Sequence, residues 1–147
     1  MKQILQKMKQ YILVVLLVLM GNYGWGQTIV NHTFSSTSGS IDSNIAFTSQ
    51  QNSSVTAPSF SSGLRLYYAS NGSGCSITLT PSNGAIITQV KITAQSTYTP
   101  TVKFNVDGGA DVTASLTSLV YTISGISSTS NLKIRNANTT STQRRIN

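Results

Sequence analysis

The sequence predicts an all-β fold, an antiparallel β-sandwich with a jelly-roll-like path, and three observations predict it. Beyond residue 27, apolar residues repeatedly alternate with polar ones at period two. Clusters of Gly, Asn, Asp and Ser interrupt that alternation about every ten residues. No stretch beyond residue 27 carries apolar residues at helical spacing. Period-two alternation is the mark of strands with one face on a core and the other in water.

Taken in order, the first 26 residues read as a signal peptide. Lys2, Lys7 and Lys9 form a positive n-region, Tyr11 to Met20 is unbroken apolar sequence, and Gly24 and Gly26 supply the small residues a signal peptidase requires. The apolar stretch falls short of the roughly 20 residues a spanning helix needs, so no membrane span is expected in the mature chain. Cleavage before Gln27 leaves about 120 residues, one domain by length, 27–147. Without the three signal lysines, seven basic residues face three Asp, a net charge of about +4. That balance favours solubility and attraction to anionic surfaces. It is short of a nucleic-acid footprint, so nucleic acid is not an expected partner.

Thr28 to Phe34 reads as a first strand. Gly39 to Ser62, with scattered Ile41, Ile45, Phe47, Val55 and Phe60, reads as loops around one short strand. Leu64, Leu66 and Tyr68 then alternate with Arg65 and Tyr67. Turns are expected at Ser70–Gly74, at Asn83-Gly84 and at Asp107-Gly108-Gly109, because Asn-Gly and Asp-Gly supply positive φ. Between them, Ile77 and Leu79, then Val90, Ile92 and Ala94, then Val102, Phe104 and Val106 form inward sets. Leu119, Tyr121 and Ile123 follow, then Leu132 and Ile134 against Lys133 and Arg135. Gln143 to Asn147 begins a further strand that reads as cut short, which suggests a piece of a longer reading frame.

Composition bears directly on chemistry. Beyond Gly26 the supply of catalytic and metal-binding groups is His32, Cys75, Asp42, Asp107 and Asp111, with no Glu. Acid–base, nucleophilic and metal chemistry need clusters of such groups. An enzyme is therefore not expected, and neither is a cofactor. Cys75 has no partner for an internal disulfide and reads as a small buried or edge residue. His32 pairs with nothing evident in the sequence.

Several stretches carry a resemblance: LRLYYASNGSGCSITLTP, TYTPTVKFNVDGG, YTISGIS and LKIRNANTTSTQRRI. Across residues 44–147 the chain resembles a β-sandwich accessory module of secreted multidomain proteins of the Bacteroidetes, found beside extracellular nucleases, proteases and sorting domains. The resemblance implies a module that binds or displays and does not catalyse. In that family a Gly is usual where Cys75 stands, and one or two strand positions follow the final Arg-Ile. The family has no agreed functional residues to carry over.

Three candidate sites follow from the residues themselves. Arg65, Tyr67 and Tyr98 suit sugar binding, in which an aromatic ring stacks on a pyranose beside polar groups. The competing reading is packing and edge cover. Lys133, Arg135, Arg144 and Arg145 suit a polyanion if a neighbouring strand adds Arg144 or Arg145 to the first two; the competing reading is an edge kept soluble by charge. Asp107 and Asp111 in a Gly-rich loop offer oxygens to calcium, but two carboxylates fall short of the six to eight ligands calcium takes. There the competing reading is a hairpin turn. The leading expectation is a secreted or cell-surface, non-catalytic module binding a glycan or an exported protein. Next come an N-terminal accessory fragment of a larger secreted hydrolase, a nuclease or protease, and then a structural matrix protein.

Overall fold

The computed structural model describes residues 27–95, 98–141 and 143–146. The signal-peptide expectation for residues 1–26 lies outside the described residues. Twelve strands are described: β1 (Ser38–Ser40), β2 (Ile45–Gln50), β3 (Ser59–Phe60), β4 (Leu64–Tyr67), β5 (Ser76–Pro81), β6 (Ile87–Thr93), β7 (Val102–Val106), β8 (Val112–Thr113), β9 (Ser115–Thr117), β10 (Val120–Ser128), β11 (Leu132–Asn136) and β12 (Gln143–Ile146). All pairings are antiparallel. A six-stranded sheet runs β1-β2-β5-β11-β7-β8, and two three-stranded sheets run β6-β10-β9 and β12-β4-β3. The fold is the predicted antiparallel β-sandwich.

One core joins all three sheets. Phe47, Ile77, Leu79, Val102, Phe104, Leu132 and Ile134 from the large sheet meet Leu64 and Leu66 of β4, and Ile87, Ile92, Tyr121 and Ile123 of β6 and β10. Each fully buried aliphatic side chain contributes about 1.5–3 kcal/mol over an exposed one. The Tyr121 hydroxyl enters this core by donating to the Pro100 carbonyl at 2.5 Å. The inward sets read from alternation are buried or packed against the core, with two exceptions. Tyr68 is half-buried just past the end of β4, and Leu119 sits in a turn.

The turns carry the expected backbone. Asp107 and Gly108 have φ of 50° and 77°, and the Gly109 amide donates to the Val106 carbonyl at 2.8 Å, closing the β7–β8 hairpin. Asn83 and Gly84 do the same at 53° and 75°, but their turn carries the chain from the large sheet to β6. Asn71-Gly72 likewise links β4 to β5 in a different sheet, so it closes no hairpin. The β9–β10 turn uses Ser118 and Leu119 at positive φ with no glycine, which is why the sequence hid it.

Two expectations fail at the N-terminal end. Residues 28–34 join no sheet; Phe34 and His32 instead pack their rings on Phe47, at 4.9 and 5.4 Å between centroids. Side-chain packing holds this segment where a ladder was expected. The region read as loops around one short strand holds three, β1, β2 and β3, and β2 pairs along its whole length with β5.

A tight junction fixes β4 against the large sheet. The Cys75 amide donates to the Tyr67 carbonyl at 2.8 Å, the Asn136 amide to the Cys75 carbonyl at 3.0 Å, and the Gly74 amide to the Asn136 carbonyl at 3.1 Å. The buried Asn136 side chain adds a bond from Nδ2 to the Leu66 carbonyl at 2.9 Å and accepts the Asn138 amide at 3.0 Å. A buried amide so satisfied fixes geometry, because a shift would strand its polar groups.

Candidate functional site

Alternation along β4 buries Leu64 and Leu66 in the core and leaves Arg65 and Tyr67 half-buried at the alternate positions, with Tyr67 packed against the edge of the core. β3 puts Ser59 opposite Arg65, and the Ser59 and Tyr67 hydroxyls lie 3.1 Å apart, within hydrogen-bond reach. On the other flank, β12 puts Arg145 opposite Arg65 and Gln143 opposite Tyr67. Arg144 takes the position opposite Leu66, the other face of the ladder. Residues of the sugar-binding and polyanion sets therefore fall into one sheet, with Arg65 and Arg145 as register partners. Tyr98 is half-buried in the loop after β6, its amide donating to the Gln95 carbonyl at 2.9 Å, and no described contact joins it to Arg65 or Tyr67.

Arg65 is the distinctive side chain of this face. Its Nε is shielded from solvent with no hydrogen-bond partner. No hydrogen bond or ion pair links its guanidinium to another described residue. Five donors in a fixed fork with no acceptor among the described residues is an uncommon state for a partly buried arginine.

Lys133 and Arg135 lie on β11, in the large sheet. β11 pairs with β5 and β7, so Lys133 and Arg135 do not neighbour β12, and neither Arg144 nor Arg145 joins them from an adjacent strand as expected. Pairing on β11 instead brings Lys103 opposite Arg135, a neighbour the sequence reading missed. Its outward position was legible from Val102 and Phe104; its strand partner was not. Arg135 is ion-paired with Asp111 and also donates to the Gly72 carbonyl. Lys133 Nζ donates to Asn52 Oδ1 at 3.1 Å.

The aspartates are occupied by turns and pairs. Asp107 accepts the amides of Thr129, Ser130 and Asn131 and the hydroxyls of Ser128 and Thr129, all within 2.9–3.1 Å. Those backbone donors, Asn131 first, hold its carboxyl far below the usual carboxylate range. The Arg135 guanidinium, and then the Asn105 amide, lower Asp111. Asp42 Oδ1 accepts the Asn44 and Ile45 amides at 2.7 and 2.8 Å. Asp107 and Asp111 thus face different partners. Among the described residues, no group of three or more His, Cys, Asp or Glu gathers as metal ligands do.

The sequence reading also missed a cleft of about 1100 Å³ between the segment 27–34, β2, β5 and β6, lined largely by aliphatic residues such as Ile41, Ile77, Ile86 and Val90. His32 lines it, its Nε2 shielded and without a partner. Among the described residues, no helix is long and apolar enough to cross a membrane. No family model, curated protein or solved structure matches this chain.

Proposed function

We propose that this chain is a non-catalytic, extracellular binding module that holds a glycan on the face of β4 that carries Arg65 and Tyr67, with these two as contact residues. The observation that carries this reading is the half-buried Arg65 guanidinium beside Tyr67, whose donors meet no acceptor among the described residues. Arginine next to an aromatic ring offers what a sugar requires: directed donors for ring and exocyclic oxygens, and an apolar surface for its C–H face. The face is preorganised, because β4 is tied to the large sheet through Gly74, Cys75 and Asn136. Preorganisation limits the entropy lost on binding. Export belongs to the same proposal and rests on Lys2, Lys7, Lys9, the apolar run and Gly24 and Gly26.

The test is a glycan array probed with the purified protein, in calcium and again in chelator. Specific signals that disappear in Tyr67→Ala and persist in chelator support the reading. An array that stays silent with a folded sample overturns it.

A further inference from the structure

We infer that the cleft between residues 27–34 and strands β2, β5 and β6 is a second binding site, one that takes an uncharged aliphatic molecule bearing a hydroxyl group. It stands apart from the β4 face and does not depend on glycan binding.

The cleft has the size and lining of a small-molecule site. Its volume of about 1100 Å³ is just above the roughly 300–1,000 Å³ that such sites occupy. Ile77, Leu79 and Ile134 line it from the large sheet, and Ile87, Val90 and Ile92 line it from β6. An aliphatic surface with no atoms packed on it forfeits dispersion contacts that an apolar guest restores.

His32 supplies the polar contact. It lines the same cleft, and its Nε2 is shielded from solvent without a hydrogen-bond partner. The rings of Phe34 and Phe47 hold the imidazole at 5.1 and 5.4 Å between centroids, so a guest meets a nitrogen already in place. A shielded polar atom left unpaired carries a desolvation cost that a guest in the cleft can remove. A hydroxyl does so whichever tautomer is present, because it accepts from an N–H or donates to a bare nitrogen. An anionic head fits worse. The Asp42 carboxylate lines the cleft as well, and Lys91, the cation of the lining, is exposed to solvent and compensates little for a charge placed among isoleucines.

Entry does not require a sheet to come apart. No backbone–backbone hydrogen bond ties residues 28–35 to a described residue. The Gln27 side chain reaches Thr88 Oγ1 at 3.3 Å, and ring packing on Phe47 holds the rest. The segment can part from β6 by giving up side-chain contacts alone.

The experiment titrates 1-octanol, 1-butanol and octanoate into the full purified chain and follows the isoleucine methyl and His32 ring signals by NMR, with a thermal melt beside each titration. 1-Octanol should shift the signals of Ile77, Ile87, Ile134 and His32 and raise the melting temperature. It should bind at least about ten-fold tighter than 1-butanol, which offers less apolar surface. It should also bind at least about ten-fold tighter than octanoate. His32→Phe keeps an aromatic ring and removes Nε2, and should weaken octanol about five-fold or more. Val90→Phe fills part of the cleft and should weaken it about ten-fold with the melt retained.

Octanol that leaves those signals unmoved overturns the inference, as does butanol binding equal to it. Octanoate bound as tightly as octanol overturns the uncharged class, and His32→Phe binding octanol as the parent does overturns the hydroxyl contact. If either variant fails to fold, the three probes compared on the parent chain decide the matter. None of these outcomes alters the glycan-array result.

Discussion

Asp107 and Asn131 exchange two hydrogen bonds: the Asp107 amide donates to the Asn131 carbonyl at 2.8 Å, and the Asn131 amide donates to Asp107 Oδ1 at 2.9 Å. This reciprocal pair joins the β7–β8 turn to the loop between β10 and β11. The same carboxylate gathers Ser128, Thr129 and Ser130. A residue that suggests a calcium ligand in the sequence is thus the acceptor around which a loop is wound.

The carboxyl of Asp107 lies below its ordinary value in the folded chain, chiefly through the Asn131, Thr129 and Ser130 amides. A depressed folded value means that its stabilising contribution is present above the unfolded value, 3.8, and is lost as pH falls below it. Urea unfolding at neutral pH and at successively lower pH should show the midpoint falling on the acid side. Asp107→Asn should lower the neutral midpoint and flatten the acid dependence. An unchanged slope in the variant would remove Asp107 from the cause.

Gly74 is where backbone meets backbone. A Cβ there would lie 2.6 Å from the carbonyl oxygens of both Asn136 and Tyr67, and neither can swing aside as a side chain would. Gly74→Ala should therefore destabilise by about 1–3 kcal/mol and displace β4, weakening ligand binding as well. Chemical denaturation gives the first quantity; a variant as stable as the parent would contradict the packing described.

Cys75 is fully buried, with Sγ 3.2 Å from the Thr56 carbonyl. The native thiol should resist a soluble disulfide reagent and react at the rate at which the protein opens, so labelling should accelerate with added urea. Rapid labelling of the native protein without denaturant would show that the junction is looser than described.

Residues 28–35 make no backbone–backbone hydrogen bond to any described residue. Their amides should exchange with solvent far faster than those of β5 and β11, and Phe34→Ala should make the segment a site of early proteolysis. Hydrogen exchange followed by mass spectrometry distinguishes the two classes. Protection of 28–35 equal to that of β11 would mean the segment pairs as a strand.

Most of the sandwich is legible in the sequence because side-chain period is local. Leu64 with Leu66, Ile77 with Leu79 and Leu132 with Ile134 state their burial by spacing alone. Pairing is not local, and that is where reading stops. Nothing near Arg145 says that it stands opposite Arg65, and nothing near Arg135 says that its neighbour is Lys103. The 28–34 segment alternates as a strand does, yet alternation cannot supply the partner ladder. β2 hid because only Ile45 and Phe47 of its six residues are large and apolar.

The most direct test of the binding face is amide chemical-shift mapping as a glycan that scores on the array is titrated into the labelled protein. Perturbations centred on Ser59, Arg65, Tyr67 and Gln143 are the expected result. Perturbations centred on Lys103, Lys133 and Arg135, with β4 silent, would contradict it and place recognition on the opposite sheet.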